Sequence, residues 1–173
     1  MRAVVLMGSP RRAGRCAAWA AQVADGLRAQ GYDEVRIIDV AALSVAGCRG
    51  CEACARPPAH ACVIRDDMDT LLPVLDAADV LAVVAPVYFA GPPAQLKAVL
   101  DRLQPHFWRG TRTARPKRPA RLYVVGDGGD PHGFGPLVTI VRSALAVAGF
   151  RVEQVRARIG AAAEQDYDFG QEG

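Results

Sequence analysis

Ala3-Val4-Val5-Leu6-Met7 is an unbroken apolar run of strand length. A strand with no polar face is buried on both sides, as in a parallel sheet covered by helices. Val80-Leu81-Ala82-Val83-Val84-Ala85 repeats the pattern and predicts a second central strand. Between them the apolar spacing becomes helical. Ala17, Ala18, Ala20, Ala21, Val23, Ala24 and Leu27 predict a helix from Arg15 to Ala29, stopped by Gly31. Val35 to Val40 mixes polar with apolar residues and reads as a strand at a sheet edge. Asp66-Asp67-Met68-Asp69 opens a helix to Ala77, its acids suited to capping the first turn. A further helix is expected from Ala94 to Leu103, a strand from Arg121 to Val125, and a helix from Pro136 to Ala148 stopped by Gly149. Phe150 to Val155 alternates apolar and polar positions and predicts a last strand with one exposed face. Strands alternating with helices predict an α/β fold in three layers, a doubly wound parallel sheet between helices. The remainder ends in Glu164-Gln165-Asp166-Tyr167-Asp168-Phe169 and has room for a shortened C-terminal helix at most. One face of the sheet is then left to the tail or to a neighbouring subunit.

Composition narrows the class. A chain of 173 residues with 51% hydrophobic content suits one domain over residues 1–173. No run approaches the eighteen or so apolar residues of a membrane span. The chain enters a buried strand directly, without a signal-peptide layout, so a cytoplasmic location and no membrane partner are expected. A net charge of +3 is too small to argue for nucleic acid. Arg109, Arg112, Arg115, Lys117 and Arg118 crowd the stretch up to Arg121 without an acid, and the favoured reading is a solvated loop. Ser9, Ser44 and Ser143 are the only serines, and none lies in the G-x-S-x-G setting of a hydrolase.

Four loops carry candidate chemistry. Gly8-Ser9-Pro10-Arg11-Arg12-Ala13-Gly14-Arg15-Cys16 joins a buried strand to a helix N-terminus. Free N–H groups, the helix dipole, a hydroxyl and arginines together suit a phosphate. The stretch has neither the Walker pattern nor G-x-G-x-x-G. Residues 41–62 form a long loop holding four of the five cysteines, Cys48, Cys51, Cys54 and Cys62. Four soft thiolates suit an iron–sulfur cluster or zinc, and free or oxidisable thiols are the remaining reading. His60, inside this loop, reads as an exposed polar residue rather than a ligand. Pro86-Val87-Tyr88-Phe89-Ala90-Gly91 follows the central strand, offering aromatic surface and backbone hydrogen bonds for a flat heteroaromatic ring. Gly126-Asp127-Gly128-Gly129, with Phe134 beyond, allows close backbone approach to a ligand. In doubly wound sheets ligands bind at strand carboxyl ends, where all four loops emerge.

The first loop resembles the G-S-P-R-x-x-G-x-S/T phosphate loop of the flavodoxin-like NADPH-dependent FMN reductase family, with Cys16 standing where that pattern has Ser or Thr. The Cys48-x2-Cys51-x2-Cys54-x7-Cys62 spacing resembles the compact cysteine motif of the family's iron–sulfur flavoprotein branch. Asp66-Asp67-Met68, Pro86-Val87-Tyr88-Phe89 and the Leu96-Lys97 to Asp101-Arg102 pattern extend the resemblance over roughly Arg2 to Gly149. It implies a five-stranded parallel flavodoxin-like sheet of order 2-1-3-4-5. It implies FMN held by Ser9, Pro10, Arg11, Arg12, Gly14, Arg15 and Cys16, by Pro86 to Gly91, and by Gly126, Asp127, Gly128, Gly129 and Phe134. It also implies a 4Fe–4S cluster on Cys48, Cys51, Cys54 and Cys62, close to the flavin because the loops share one edge. The redox chemistry then belongs to FMN, with NAD(P)H or reduced ferredoxin as donor and a small molecule or protein as acceptor. A homodimer or dimer of dimers is expected. Asp101 and Arg102, at the far end of their helix, are implied to be structural or at a subunit contact. A zinc-stapled or cluster-free binding module without NAD(P)H activity is the alternative.

Overall fold

The computed structural model describes residues 1–114, 116–161 and 163–167, apart from the side chains at 112 and 114. β1 (Arg2–Met7) is central and five of its six residues are buried. It pairs in parallel with β2 (Glu34–Asp39) on one side and β3 (Val80–Pro86) on the other. β4 (Arg118–Gly126) and β5 (Phe150–Ile159) continue the parallel sheet. The order β2-β1-β3-β4-β5 is the expected one, with β2 at the edge.

The sheet is mixed rather than all parallel, because the tail adds β6 (Gln165–Asp166), antiparallel to β5. No closing helix follows β5 among the described residues. Instead Arg156 reaches Asp166 at 2.9 Å and Glu164 at 3.1 Å, and Arg158 reaches Glu164 at 2.7 Å. These exposed pairs account for a hairpin that an apolar pattern could not announce.

α1 (Arg15–Ala29) covers one face, packing Trp19, Ala20, Val23, Ala24 and Leu27 against β1, β3 and β4. α2 (Met68–Asp76), α3 (Ala94–Asp101) and α6 (Gly135–Val147) cover the other with a larger apolar layer. Among the described residues the first face carries no second helix. There β4 and β5 present Arg121, Tyr123, Gln154, Arg156 and Arg158 around an open cavity of 390 Å³ beside α1.

The arginine-rich segment is not the solvated loop expected. It follows α4 (Gln104–Trp108) and contains α5 (Thr111–Ala114), and β4 starts at Arg118 rather than Arg121. Arg118 is a clamp: its guanidinium donates to the carbonyls of Leu75 (3.0 Å), Asp76 (2.9 Å), Ala78 (2.7 Å) and Ala148 (3.1 Å). It also lies 3.8 Å over the Phe150 ring. Helix C-termini leave carbonyls unpaired, and a cation satisfies them while opposing the dipole. Arg115 of that segment, and Asp168 and Phe169 of the tail, lie outside the described residues. Among the described residues no helix is long and apolar enough to cross a membrane.

Candidate functional site

The first loop leaves β1 beside β3, with Gly8 N–H donating to the Val84 carbonyl at 2.8 Å. A Cβ on Gly8 would stand 2.6 Å from Leu96 Cδ2, so only glycine lets α3 pack this close. Ser9 is buried and its Oγ accepts from the Arg11 N–H at 3.1 Å, which tightens the turn after Pro10. Gly14, at φ 129°, swings the chain into α1 through a conformation closed to other residues. No side chain caps α1 among the described residues, and its first turn holds no acid. Its N–H groups and dipole are therefore left for an anion. Arg11, Arg12 and Arg15 are exposed around this end. Arg12 pairs with Asp39 at 3.0 Å and Arg15 pairs with Asp127, which ties the first loop to the glycine loop after β4. Cys16 is buried among the apolar residues under α1. Burial pushes its thiol pKa up, against smaller opposing effects of Ser9 and Arg15.

The loop after β3 is a strained hairpin. Tyr88 and Gly91 exchange backbone hydrogen bonds of 2.9 and 3.0 Å, while Phe89 (φ 50°) and Ala90 (φ 61°) between them are both left-handed. Two-residue turns of this type favour Asn-Gly, and a non-glycine there costs about 1–3 kcal/mol. The strain is held by Val87 N–H on the Val125 carbonyl (2.8 Å) and by Leu137 N–H on the Ala90 carbonyl (2.9 Å). Phe89 ends fully exposed at the tip and Tyr88 is 41% exposed, while Ala90 is buried. Strain spent to hold an aromatic ring in solvent marks a contact surface.

The loop after β4 closes against its neighbours. A Cβ on Gly126 would meet Ile159 Cδ1 at 3.0 Å and Val87 Cγ2 at 3.4 Å. Gly128 has φ 85° and Gly129 follows in open space. Phe134 is half-buried against Tyr167, ring centroids 4.9 Å apart, so the tail covers it. The structure thus brings together the loops at 8–16, 86–91 and 126–129 along one sheet edge, as expected.

The cysteine loop is built differently. Its neck is pinned by acids that follow it. Asp67 accepts from the Ser44 N–H at 2.7 Å, and Asp66 accepts from the Ala46 N–H at 3.0 Å. Asp66 also accepts from the Met68 N–H at 3.0 Å, which is the expected capping bond. Arg102, only 2% exposed, pairs with Asp66 at 2.6 and 3.1 Å and donates to the carbonyls of Ala46 (2.9 Å) and Ile64 (3.2 Å). Ala46 precedes Cys48 by two residues and Ile64 follows Cys62 by two, so one guanidinium draws the ends of the motif together. His60, half-buried rather than exposed, donates from Nδ1 to the Cys54 carbonyl at 3.1 Å inside the loop. Cys48 and Cys51 are exposed and Cys54 and Cys62 half-buried. All four line one small cavity. Burial raises the Cys54 thiol pKa, and Cys62, Cys48 and Cys51 are near enough to raise it further by repulsion. Among the described residues no three His, Cys, Asp or Glu side chains already stand as a metal-holding group.

The cysteine cavity has its own lining, distinct from the residues of the three other loops. It is completed by Asp101, Arg102, Gln104 and Pro105, at the C-terminal end of α3. The strained hairpin is at the N-terminal end of that helix, whose eight residues span about 12 Å. Arg102 is structural, as implied, but through the cysteine loop. The sequence held no local signal for this, since Arg102 and its partner Asp66 lie thirty-six residues apart.

The fold defines a flavodoxin-like α/β protein with three of its loops gathered along one sheet edge. The chain belongs to the NADPH-dependent FMN reductase family, matching it over residues 1–154. It is 32% identical over 111 residues to an iron-sulfur flavoprotein of Archaeoglobus fulgidus, covering 64% of this chain and 49% of that one. It is 36% identical over 102 residues to an iron-sulfur flavoprotein of Methanosarcina thermophila, covering 59% and 52%. The chain thus spans about half the length of the curated relatives it matches. Among solved structures it is similar to an NADH:FMN oxidoreductase in its apo form (TM-score 0.63, 24% identity, 92% of this chain and 76% of that one). It is also similar to an NAD(P)H:quinone oxidoreductase from Methanothermobacter marburgensis (TM-score 0.64, 21% identity, 94% and 85%). At these identities the structural likenesses establish the fold.

Proposed function

We propose that the chain is an FMN-dependent oxidoreductase. The FMN phosphate lies at the open N-terminus of α1 and the flavin ring against the Tyr88–Gly91 turn. The observation that carries this reading is the pairing of an uncapped, arginine-ringed helix start with a strained aromatic hairpin on the same edge. The three loops fit the group: backbone N–H donors and cations for the phosphate, a close glycine backbone, and an exposed aromatic side chain for the ring. FMN, when bound, accepts a hydride or single electrons, chemistry that this set of side chains does not supply. The protein's part is to orient the ring, to hold the phosphate through the α1 amides with Ser9 and the arginines, and to shield one ring face with the hairpin. NAD(P)H or a reduced ferredoxin-like protein serves as donor, and a small molecule or a protein as acceptor.

The reading assigns Cys48, Cys51, Cys54 and Cys62 to a 4Fe–4S cluster, supported by four soft thiols around one cavity and by the names of the two archaeal relatives. Bound there, it would add a one-electron centre. It includes association of two or more copies, supported by the open sheet face beside α1. The test is anaerobic mixing of FMN-loaded protein with NADH, NADPH or reduced ferredoxin, watching the flavin bleach, with light scattering for mass. Bleaching by any donor and a mass of two or more chains are expected. A loaded protein that no donor reduces contradicts the oxidoreductase reading.

A further inference from the structure

A guanidinium carries five N–H donors in a fixed fork. Arg102 uses four of them: two on Asp66, one on the Ala46 carbonyl and one on the Ile64 carbonyl. The fifth, on Nε, is buried and has no hydrogen-bond partner among the described residues. A buried donor without a partner loses its hydration and gains nothing in return, so a native one calls for a partner. Arg102 lines the same cavity as Cys48, Cys51, Cys54 and Cys62. Cys62 is the one brought closest by the bonds on the page: it stands two residues before Ile64, whose carbonyl the same guanidinium grips at 3.2 Å. The four bonded N–H groups fix the fork in place, so Nε–H cannot turn away to seek water.

We propose that Arg102 is a positioning residue of the cysteine centre, its Nε–H donating to the Cys62 sulfur once that sulfur is held by a metal. This rests on the assignment of the cysteines to a metal or cluster. Ligand sulfurs carry much of a thiolate centre's negative charge. A buried N–H on one of them holds its orientation and favours the more negative state of the centre. Arg102 then has two tasks through different atoms: Nη1 and Nη2 close the loop neck, and Nε addresses the metal-bound sulfur.

The two tasks are separated by two variants. Arg102→Lys keeps a cation opposite Asp66 and removes Nε–H. Asp66→Asn weakens the neck and leaves Nε–H in place. Reduced, metal-free full-length protein is titrated with Cd(II) as the thiolate probe, with urea midpoints recorded alongside. Arg102→Lys is expected to bind Cd(II) roughly 10–100-fold more weakly than the unmodified chain, and Asp66→Asn to lose stability with a much smaller change in affinity. Equal affinity of the unmodified chain and Arg102→Lys overturns the proposal. Equal losses in both variants overturn it as well, since Arg102 would then act only through the neck. Should Arg102→Lys not fold, the unmodified chain loaded with cadmium-113 decides. One arginine Nε–H resonance is expected to couple to the metal through the sulfur, and no such coupling contradicts the proposal. An unmodified chain that takes up neither Cd(II) nor iron fails at the earlier step, the cysteine assignment, and takes the proposal with it.

Discussion

Cys16 and Cys48 carry the same thiol in opposite settings. Cys16 is 6% exposed in the apolar layer beneath α1, and its pKa is raised chiefly by burial. Cys48 and Cys51 stand in solvent. Because the thiolate is the reactive form, iodoacetamide at pH 8 should label Cys48 and Cys51 in reduced, metal-free protein and spare Cys16. Peptide mass spectrometry reads the outcome, and rapid labelling of Cys16 would contradict its placement. Gly8 makes a second prediction at this scale. The Cβ of Gly8→Ala would press on Leu96, itself fully buried, with contacts of 2.6, 3.2 and 3.3 Å to its outer carbons and Cβ. The expected cost is about 1–3 kcal/mol of stability, together with weaker FMN binding, measured by urea unfolding and flavin-fluorescence quenching. Glycine and serine in the first loop were legible as an anion turn because such turns are local. The close approach of Leu96, eighty-eight residues on, was not.

The elements themselves were largely legible. α1 has the bounds its spacing predicts, and β1 and β3 announced their burial by being apolar on both faces. What local pattern could not convey was long-range pairing. Arg118 read as one charge in a basic run, yet its partners lie thirty to forty-three residues away at the ends of α2 and α6. β6 is two polar residues long and exists because Arg156 and Arg158 on β5 draw the tail's acids alongside. Arg118→Ala strips partners from four carbonyls and should lower stability by about 2–3 kcal/mol, the scale of a charged hydrogen bond lost without replacement. A fall in the urea midpoint at unchanged slope reads this. A loss below about half a kcal/mol would show that water replaces the guanidinium.

At the scale of the whole molecule, charge pairs on the α2 and α4 flank contribute to the response to acid. Asp76 has its pKa lowered, first by the His106 hydrogen bond at 2.7 Å, with Arg109 and Arg118 also contributing. A carboxyl with a depressed folded pKa binds fewer protons when native than when unfolded. Its stabilisation is therefore complete above the unfolded value near about 3.9 and is lost as pH falls through the lower folded value. Urea midpoints should hold between pH 6 and pH 5 and drop toward pH 3, and Asp76→Asn should flatten part of that drop. An unaltered acid limb in the variant would place the responsible carboxyls elsewhere. At this scale the sequence conveyed the shared edge of the flavin loops, because strand order and loop order follow from alternation. It did not convey the course of the cysteine loop, because a long loop's course is set by what it docks on, here Arg102 and α4, and neither carries a local signal for that.

The central claim is that FMN binds the three-loop edge while the cysteine loop holds a separate iron–sulfur centre. The most direct measurement is the absorption spectrum of anaerobically purified protein, with flavin, iron and acid-labile sulfide quantified on the same sample. The account predicts flavin bands over a broad visible absorbance, with iron and sulfide in equal amounts. Flavin without iron would leave the oxidoreductase reading standing and remove the cluster. One zinc per chain and no yellow colour would mark a zinc-stapled binding module. A colourless protein that takes up no added FMN would contradict the account at its centre.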